Sequence, residues 1–194
     1  MQKALFFIGI IAIFSGCTKY QFSKKEITET NQYGDLIGNI DINDWNIESY
    51  SSAPEKLKEF IEIEANAKFG IPAIDTIQTA FVIKKNIDNG TYKVNCSPPL
   101  FSSIAYPNPA PKDDRVTIPL RCTSKVKDGL SFITRKDGTQ ISGQSITIDT
   151  TGHLGDVIVI TNYLVQRDDF IYYYVFVTED DCVFWGKGDV KVGK

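Results

Sequence analysis

Phe170-Ile171-Tyr172-Tyr173-Tyr174-Val175-Phe176-Val177-Thr178 is the stretch that decides the fold. In an extended chain successive side chains point to opposite faces, so Phe170, Tyr172, Tyr174 and Phe176 share one face and Ile171, Tyr173, Val175 and Val177 the other. Both faces are apolar. A strand of that kind is covered on both sides, which places it in the middle of a sheet and makes its rings core. Outward from it lie further short β-rich runs at Val116–Leu120, Leu130–Thr134, Ser145–Ile148, Val157–Thr161, Val183–Trp185 and Asp189–Val192. Turn residues separate them at Lys127-Asp128-Gly129, Lys136-Asp137-Gly138, Thr151-Gly152 and Glu179-Asp180-Asp181. Many short strands punctuated by turns predict a mainly β protein, an antiparallel β-sandwich of immunoglobulin-like type.

Nearer the N-terminus, Ser52-Ala53-Pro54-Glu55 reads as a helix start, with a hydroxyl cap, a proline in the first turn and an acid three residues after the cap. Leu57, Phe60, Ile61 and Ala65 follow at helical spacing and Gly70-Ile71-Pro72 supplies a stop, so one amphipathic helix is expected over 54–68. Thr79–Ile83 and Thr91–Val94 flank Asp88-Asn89-Gly90, and Asn-Gly between β-rich runs predicts a hairpin. Tyr106-Pro107-Asn108-Pro109-Ala110 reads as a boundary, since two prolines lack ladder donors and hold the chain extended. The expected organisation is a signal at 1–16, a lipidated cysteine and tether at 17–36, an α+β segment at 37–105 and the sandwich at 106–194.

The signal reading rests on Met1-Gln2-Lys3, one positive charge, followed by an apolar run from Ala4 to Phe14. That run is too short to span a bilayer but matches the apolar core of an export signal. Phe14-Ser15-Gly16-Cys17 resembles the lipobox of bacterial lipoproteins, with Phe14 where leucine is usual. The resemblance implies that the Cys17 thiol takes a diacylglycerol, that the signal is cut before it, and that the new amino terminus is acylated. Several acyl chains together hold a protein on a membrane stably. Thr18 follows, not the aspartate that retains some lipoproteins at the inner membrane, and Lys19, Lys24 and Lys25 stand where surface-exported lipoproteins carry acids. An outer-membrane lipoprotein facing the periplasm is therefore expected.

The chain has 21 Lys and Arg against 24 Asp and Glu. Mild acidity without a basic stripe excludes nucleic acid as a natural partner, because phosphate binding draws on clustered positive charge. With Cys17 lipidated, Cys96, Cys122 and Cys182 remain, enough for one bridge; Cys96 to Cys122 is expected, each ending a β-rich run. No Cys-x-x-Cys spacing occurs and the chain has one histidine. A zinc site and other cofactors are therefore not expected.

A hydrolase would have to use His153 with Ser145 as nucleophile and Asp149 or Asp156 as orienter, but no Gly-x-Ser-x-Gly elbow is present. A Cys182–His153 dyad has no activating feature. Asp41, Asn43 and Asp44 are the first place to look for a cation, although Asp41-Ile42-Asn43-Asp44 lacks the glycine and distal glutamate of an EF-hand loop. Trp45, Trp185 and Tyr172 are candidates for a platform that stacks on a sugar ring or a partner.

Two resemblances bear on these readings. Tyr106-Pro107-Asn108-Pro109-Ala110, the strand at Val116-Thr117-Ile118 and the Asp137-Gly138 turn are similar to the opening of the β-sandwich domains that end cargo of the Bacteroidota type IX secretion system. Phe170–Phe176 replaces the Gly-x-Tyr strand of those domains, so the resemblance implies the sandwich and the phylum but not the secretion function. Gly38–Trp45, Glu55–Phe60, Tyr106–Pro109, Tyr173–Phe176 and Gly186–Val190 together resemble small Bacteroidota lipoproteins, a group that brings an address and no activity. The expectation is a non-enzymatic lipoprotein that contacts another envelope protein, with a carbohydrate-binding surface lipoprotein as the alternative.

Overall fold

A computed structural model describes residues 24–67, 74–112, 114–149, 151–160 and 169–193. The elements, in chain order, are β1 (Ile47–Ser49), α1 (Glu55–Asn66), α2 (Ile74–Asp88), β2 (Phe101–Ser102), β3 (Arg115–Ile118), β4 (Arg121–Cys122), β5 (Val126–Arg135), β6 (Gln140–Ser145), β7 (Val157–Ile160), β8 (Phe170–Thr178) and β9 (Val183–Val190). The described residues are mainly β, with antiparallel sheets and two α-helices. Five strands form one antiparallel sheet in the order β1-β9-β8-β5-β6. β2 pairs with β4 and β3 with β7 in two short ribbons.

β8 occupies the middle of the five-stranded sheet, as its two apolar faces require. Phe170, Tyr172, Tyr174 and Phe176 enter one hydrophobic cluster with Val116, Ile118 and Val159 of the β3–β7 ribbon. Val175 and Val177 enter a second cluster with Leu57, Phe60 and Ile61 of α1 and Ala80 and Ile83 of α2. The sheet is thus packed on both faces, by the two helices on one side and by the ribbons on the other. The Asp137-Gly138 turn joins β5 to β6 with Gly138 at φ +83°, and Glu179–Asp181 turns β8 into β9.

Several expectations are corrected. The hairpin around Asn89-Gly90 is instead the end of α2: Gly90 at φ +71° closes the helix, its N–H donating to Ile87 O at 3.0 Å. Asn-Gly serves either role because both need a left-handed residue. Thr79–Ile83 is rich in β-formers like a strand, yet Ile77, Ala80 and Ile83 also recur at helical spacing and are buried, and Ala80 and Ile83 join the cluster under the sheet. α1 starts after Pro54 with no side-chain cap, because Ser52 ends a short 3-10 turn and bonds Glu48 instead, at 2.6 Å. The stop at Gly70-Ile71-Pro72 lies outside the described residues. Lys127-Asp128-Gly129 is not a turn but part of β5, at a register shift against β8, where Asp128 accepts a hydrogen bond from Tyr92 at 3.1 Å. β6 ends at Ser145, and the two runs after residue 182 are one continuous strand, β9.

The bridge is Cys96–Cys182, not Cys96–Cys122, and Cys122 is free. Lys93 explains this: its backbone bonds Asp181 O and Val183 N, so the chain leaving α2 docks at the start of β9 and brings Cys96 within 6.0 Å of Cys182, Cα to Cα. Cys122 is held elsewhere, opposite Phe101 in the β2–β4 ribbon.

The tether ends well before residue 36. Ile27 is fully buried, and Thr28 and Thr30 are buried with it. Nor does the chain divide at Tyr106. Asn108, fully buried, exchanges backbone hydrogen bonds with Thr30, donates from Nδ2 to Asp189 O at 2.9 Å and accepts from Lys191 N at 3.0 Å. With β1 in the same sheet as β8 and β9, the residues on both sides of Tyr106 share one core. The signal, Cys17 and Thr18 lie outside the described residues.

Candidate functional site

The segment from Leu36 to Asn46 builds two adjoining features beside β9 where it runs on past its pairing with β1, an acidic cluster and an apolar groove. Asp41 starts a tight turn, its Oδ1 accepting from Asn43 N at 2.9 Å and Asn43 Nδ2 at 3.1 Å, while Asp44 N donates to Asp41 O at 3.1 Å. Trp45 follows at φ +62°, an unusual conformation for a bulky residue, with its N–H bonded to Lys187 O at 2.7 Å. Its ring lies on Gly188, where a Cβ would sit 2.1 Å from Trp45 Cε2, and packs against Tyr172 at a centroid distance of 6.4 Å. Only glycine leaves room for the indole there.

That anchoring drives Asp44 against β9. Its Oδ1 accepts from Asp189 N and its Oδ2 from Thr28 N, both at 3.0 Å, so one carboxylate ties three segments together. One carboxylate oxygen from each of Asp41, Asp44 and Asp189 lies within 4.8 Å of the other two. Asp44 and Asp189 are each only 7% exposed. Asp189 Oδ1 is buried without a hydrogen-bond partner. Burial pushes the Asp44 carboxyl up to about 6, against the opposing effect of the Asp189 and Thr28 N–H groups. Burial and then the neighbouring Asp44 charge push Asp189 up to about 7. All the available donors are oxygen, so the arrangement can hold either a shared proton or a hard cation.

Beside the cluster, Leu36, Ile40, Ile42, Phe101 and Ile104 line a groove of about 420 Å³ that Asp41 and Asp44 border. Ile42 and Leu100 are each 80% exposed, and Ile37 and Ile40 are more than half exposed. Leu100 and Phe101 carry the apolar surface on toward the β2–β4 ribbon.

No family model matches the chain, and no curated protein matches it. Among solved structures, an engineered protein is similar over 50% of this chain and 20% of its own length, at 9% identity and a TM-score of 0.38. The chain thus spans about a fifth of the length of the structure it matches.

Of the residues singled out from sequence, Asp41 and Asp44 come together, but Asn43 serves the turn on Asp41 and stays exposed. Asp189 takes the third place. The only sequence signal for it was a lone acid between glycine and valine in an otherwise buried run. Trp45, Trp185 and Tyr172 are all buried and present no open ring: Trp185 Nε1 donates to Ser52 Oγ at 3.0 Å and Tyr172 is fully enclosed. The platform reading is corrected to core. His153 is exposed in the turn that follows β6, its ring 2.6 Å from Thr151 Oγ1 and its N–H on Asp149 Oδ1; that hydrogen bond helps hold Asp149 down at about 2. Ser145 Oγ instead bonds Thr79 at 3.3 Å, and Asp156 pairs with Arg121 at 2.6 Å. The Cys182 sulfur is committed to the bridge and is no nucleophile.

Proposed function

We propose that the chain is an outer-membrane lipoprotein, anchored through Cys17, that works as a non-enzymatic accessory subunit by binding another envelope protein along the groove of Leu36, Ile40, Ile42 and Phe101. The observation that carries this reading is the exposed apolar strip itself. Contiguous apolar surface rimmed by polar groups marks interaction sites in soluble folds, whereas singly scattered apolar residues do not. The fold that accompanies it is an antiparallel sandwich of immunoglobulin-like type, with the aromatic face of the five-stranded sheet covered by the β3–β7 and β2–β4 ribbons. Such architectures present loops and edges for binding. Burial of Trp45, Trp185 and Tyr172 takes away the motive for the carbohydrate alternative.

A photo-crosslinking amino acid placed at Ile40 or Leu100 in living cells tests it. A discrete protein adduct, lost when Ile42→Asp is added, is the expected result. Adducts to lipid alone, or none, with the protein present at normal level, would overturn the reading.

A further inference from the structure

We infer that Asp41, Asp44 and Asp189 form a calcium-binding site that clamps the 41–45 turn onto β9. The proposal stands without the docking reading. Its first support is geometric: three carboxylate oxygens, from two segments far apart in sequence, lie within 4.8 Å of one another. Calcium holds oxygens at about 2.3–2.6 Å, so two of its ligands sit up to roughly 5 Å apart, whereas magnesium at about 2.0–2.1 Å draws them closer. The donor set is oxygen alone, which suits a hard ion and not zinc or copper.

The second support is independent of the clustering. Asp189 Oδ1 is a buried acceptor without a hydrogen-bond partner, in a residue 7% exposed. Lys187 and Lys136 act on Asp189 only through their charge, against the effect of burial. Buried carboxylates are normally paired or coordinate a metal. Asp44 is oriented by backbone N–H groups from Thr28 and Asp189, one on each oxygen, which leaves a lone pair on each for an ion. Asp41, half-buried, stands at the mouth of both the apolar groove and a neighbouring hollow of about 450 Å³ lined by Glu48, Gly186 and Lys187. That opening gives an entry path and room for the waters that complete a shell of six to eight oxygens.

Full-length protein in detergent, stripped with chelator, is titrated with calcium chloride alone. One ion bound per chain by calorimetry, and a rise in Tm of roughly 3–6 °C at a calcium concentration ten times Kd, are expected. Magnesium at the same concentration should give a smaller shift. Terbium, as a calcium stand-in, should emit on excitation of tryptophan, since Trp45 adjoins Asp44. Asp189→Asn should weaken binding at least tenfold while the protein stays folded. If Asp44→Asn fails to fold, Asp41→Asn at the mouth gives the same reading. No heat and no Tm change with calcium up to about 10 mM, above the weak end of protein calcium sites, overturns the proposal. So does unchanged calcium affinity in a folded Asp189→Asn.

Discussion

Asp44 and Asp189 surrender water on folding, burial outweighs the charges of Lys187 and Lys136 that act on Asp189, and the consequence is a dependence of stability on pH that runs opposite to that of paired carboxylates. Both start near 3.8 and are raised, to about 6 and about 7, chiefly by burial. Between the ordinary and the raised values the folded protein holds more protons than the unfolded chain, so stability falls as pH rises through that window. In chelator, the cluster should lower stability by on the order of 3 kcal/mol between pH 4 and pH 8, the two groups titrating as a coupled pair. Urea denaturation of wild type against Asp189→Asn at both pH values isolates the effect: the variant should gain on wild type as pH rises. An equal difference at both pH values would remove the cluster as the cause. Two of the three carboxylates of this site were legible in sequence. Asp41 and Asp44 stand three apart in a polar turn, a spacing that invites attention, but Asp189 is 145 residues beyond Asp44 and reaches it only through the β9 edge and the Trp45–Gly188 contact.

Among the elements, β8 was readable because apolar residues on both faces need cover on both, which the ribbons and the helices supply. α2 was not, because Thr79–Ile83 carries a β-rich composition and a helical spacing at once, and packing against α1 decides between them. The disulfide was hidden for the same reason: nothing local reveals that Lys93 bridges to Cys182. With that pairing the closed loop spans 86 residues, and the chain-entropy model gives roughly 4–5 kcal/mol for a loop of this size. Cys96→Ser and Cys182→Ser should each destabilise by about 2–5 kcal/mol in urea, and together no more than either alone, whereas Cys122→Ser should change stability by less than about 1 kcal/mol. Alkylation mass spectrometry should label only Cys122 of these three, and slowly, because burial pushes its thiol pKa up. Labelling of Cys182 in oxidised protein would refute the pairing.

For the molecule as a whole, the packed N-terminal segment changes how an anchored domain sits. Among the described residues no helix is long and apolar enough to cross a membrane. If lipid is attached at Cys17, only nine residues, ten Cα-to-Cα steps, separate it from Ile27, which is fully buried. Even fully extended, that span reaches about 35 Å. The folded part is then held close to its own membrane and its groove can meet only partners in or near that surface. Lys19, Lys24 and Lys25 fall in the same short span, and each contributes on the order of 1 kcal/mol where the adjacent leaflet is anionic. Those lysines also occupy the positions where surface-exported lipoproteins carry acids, so the domain is expected on the periplasmic side. Cys17→Ala should move the protein from the membrane to the soluble fraction, or leave it uncleaved, with loss of acyl labelling. Trypsin added to intact cells expressing wild type should leave the domain whole, while trypsin after lysis should cut it, Lys112 offering an exposed site before β3. Cleavage in intact cells would place the domain outside the cell and turn the search for its partner to surface proteins and extracellular ligands; protection before lysis with cleavage after it would restrict the partner to the periplasm and the inner face of the outer membrane.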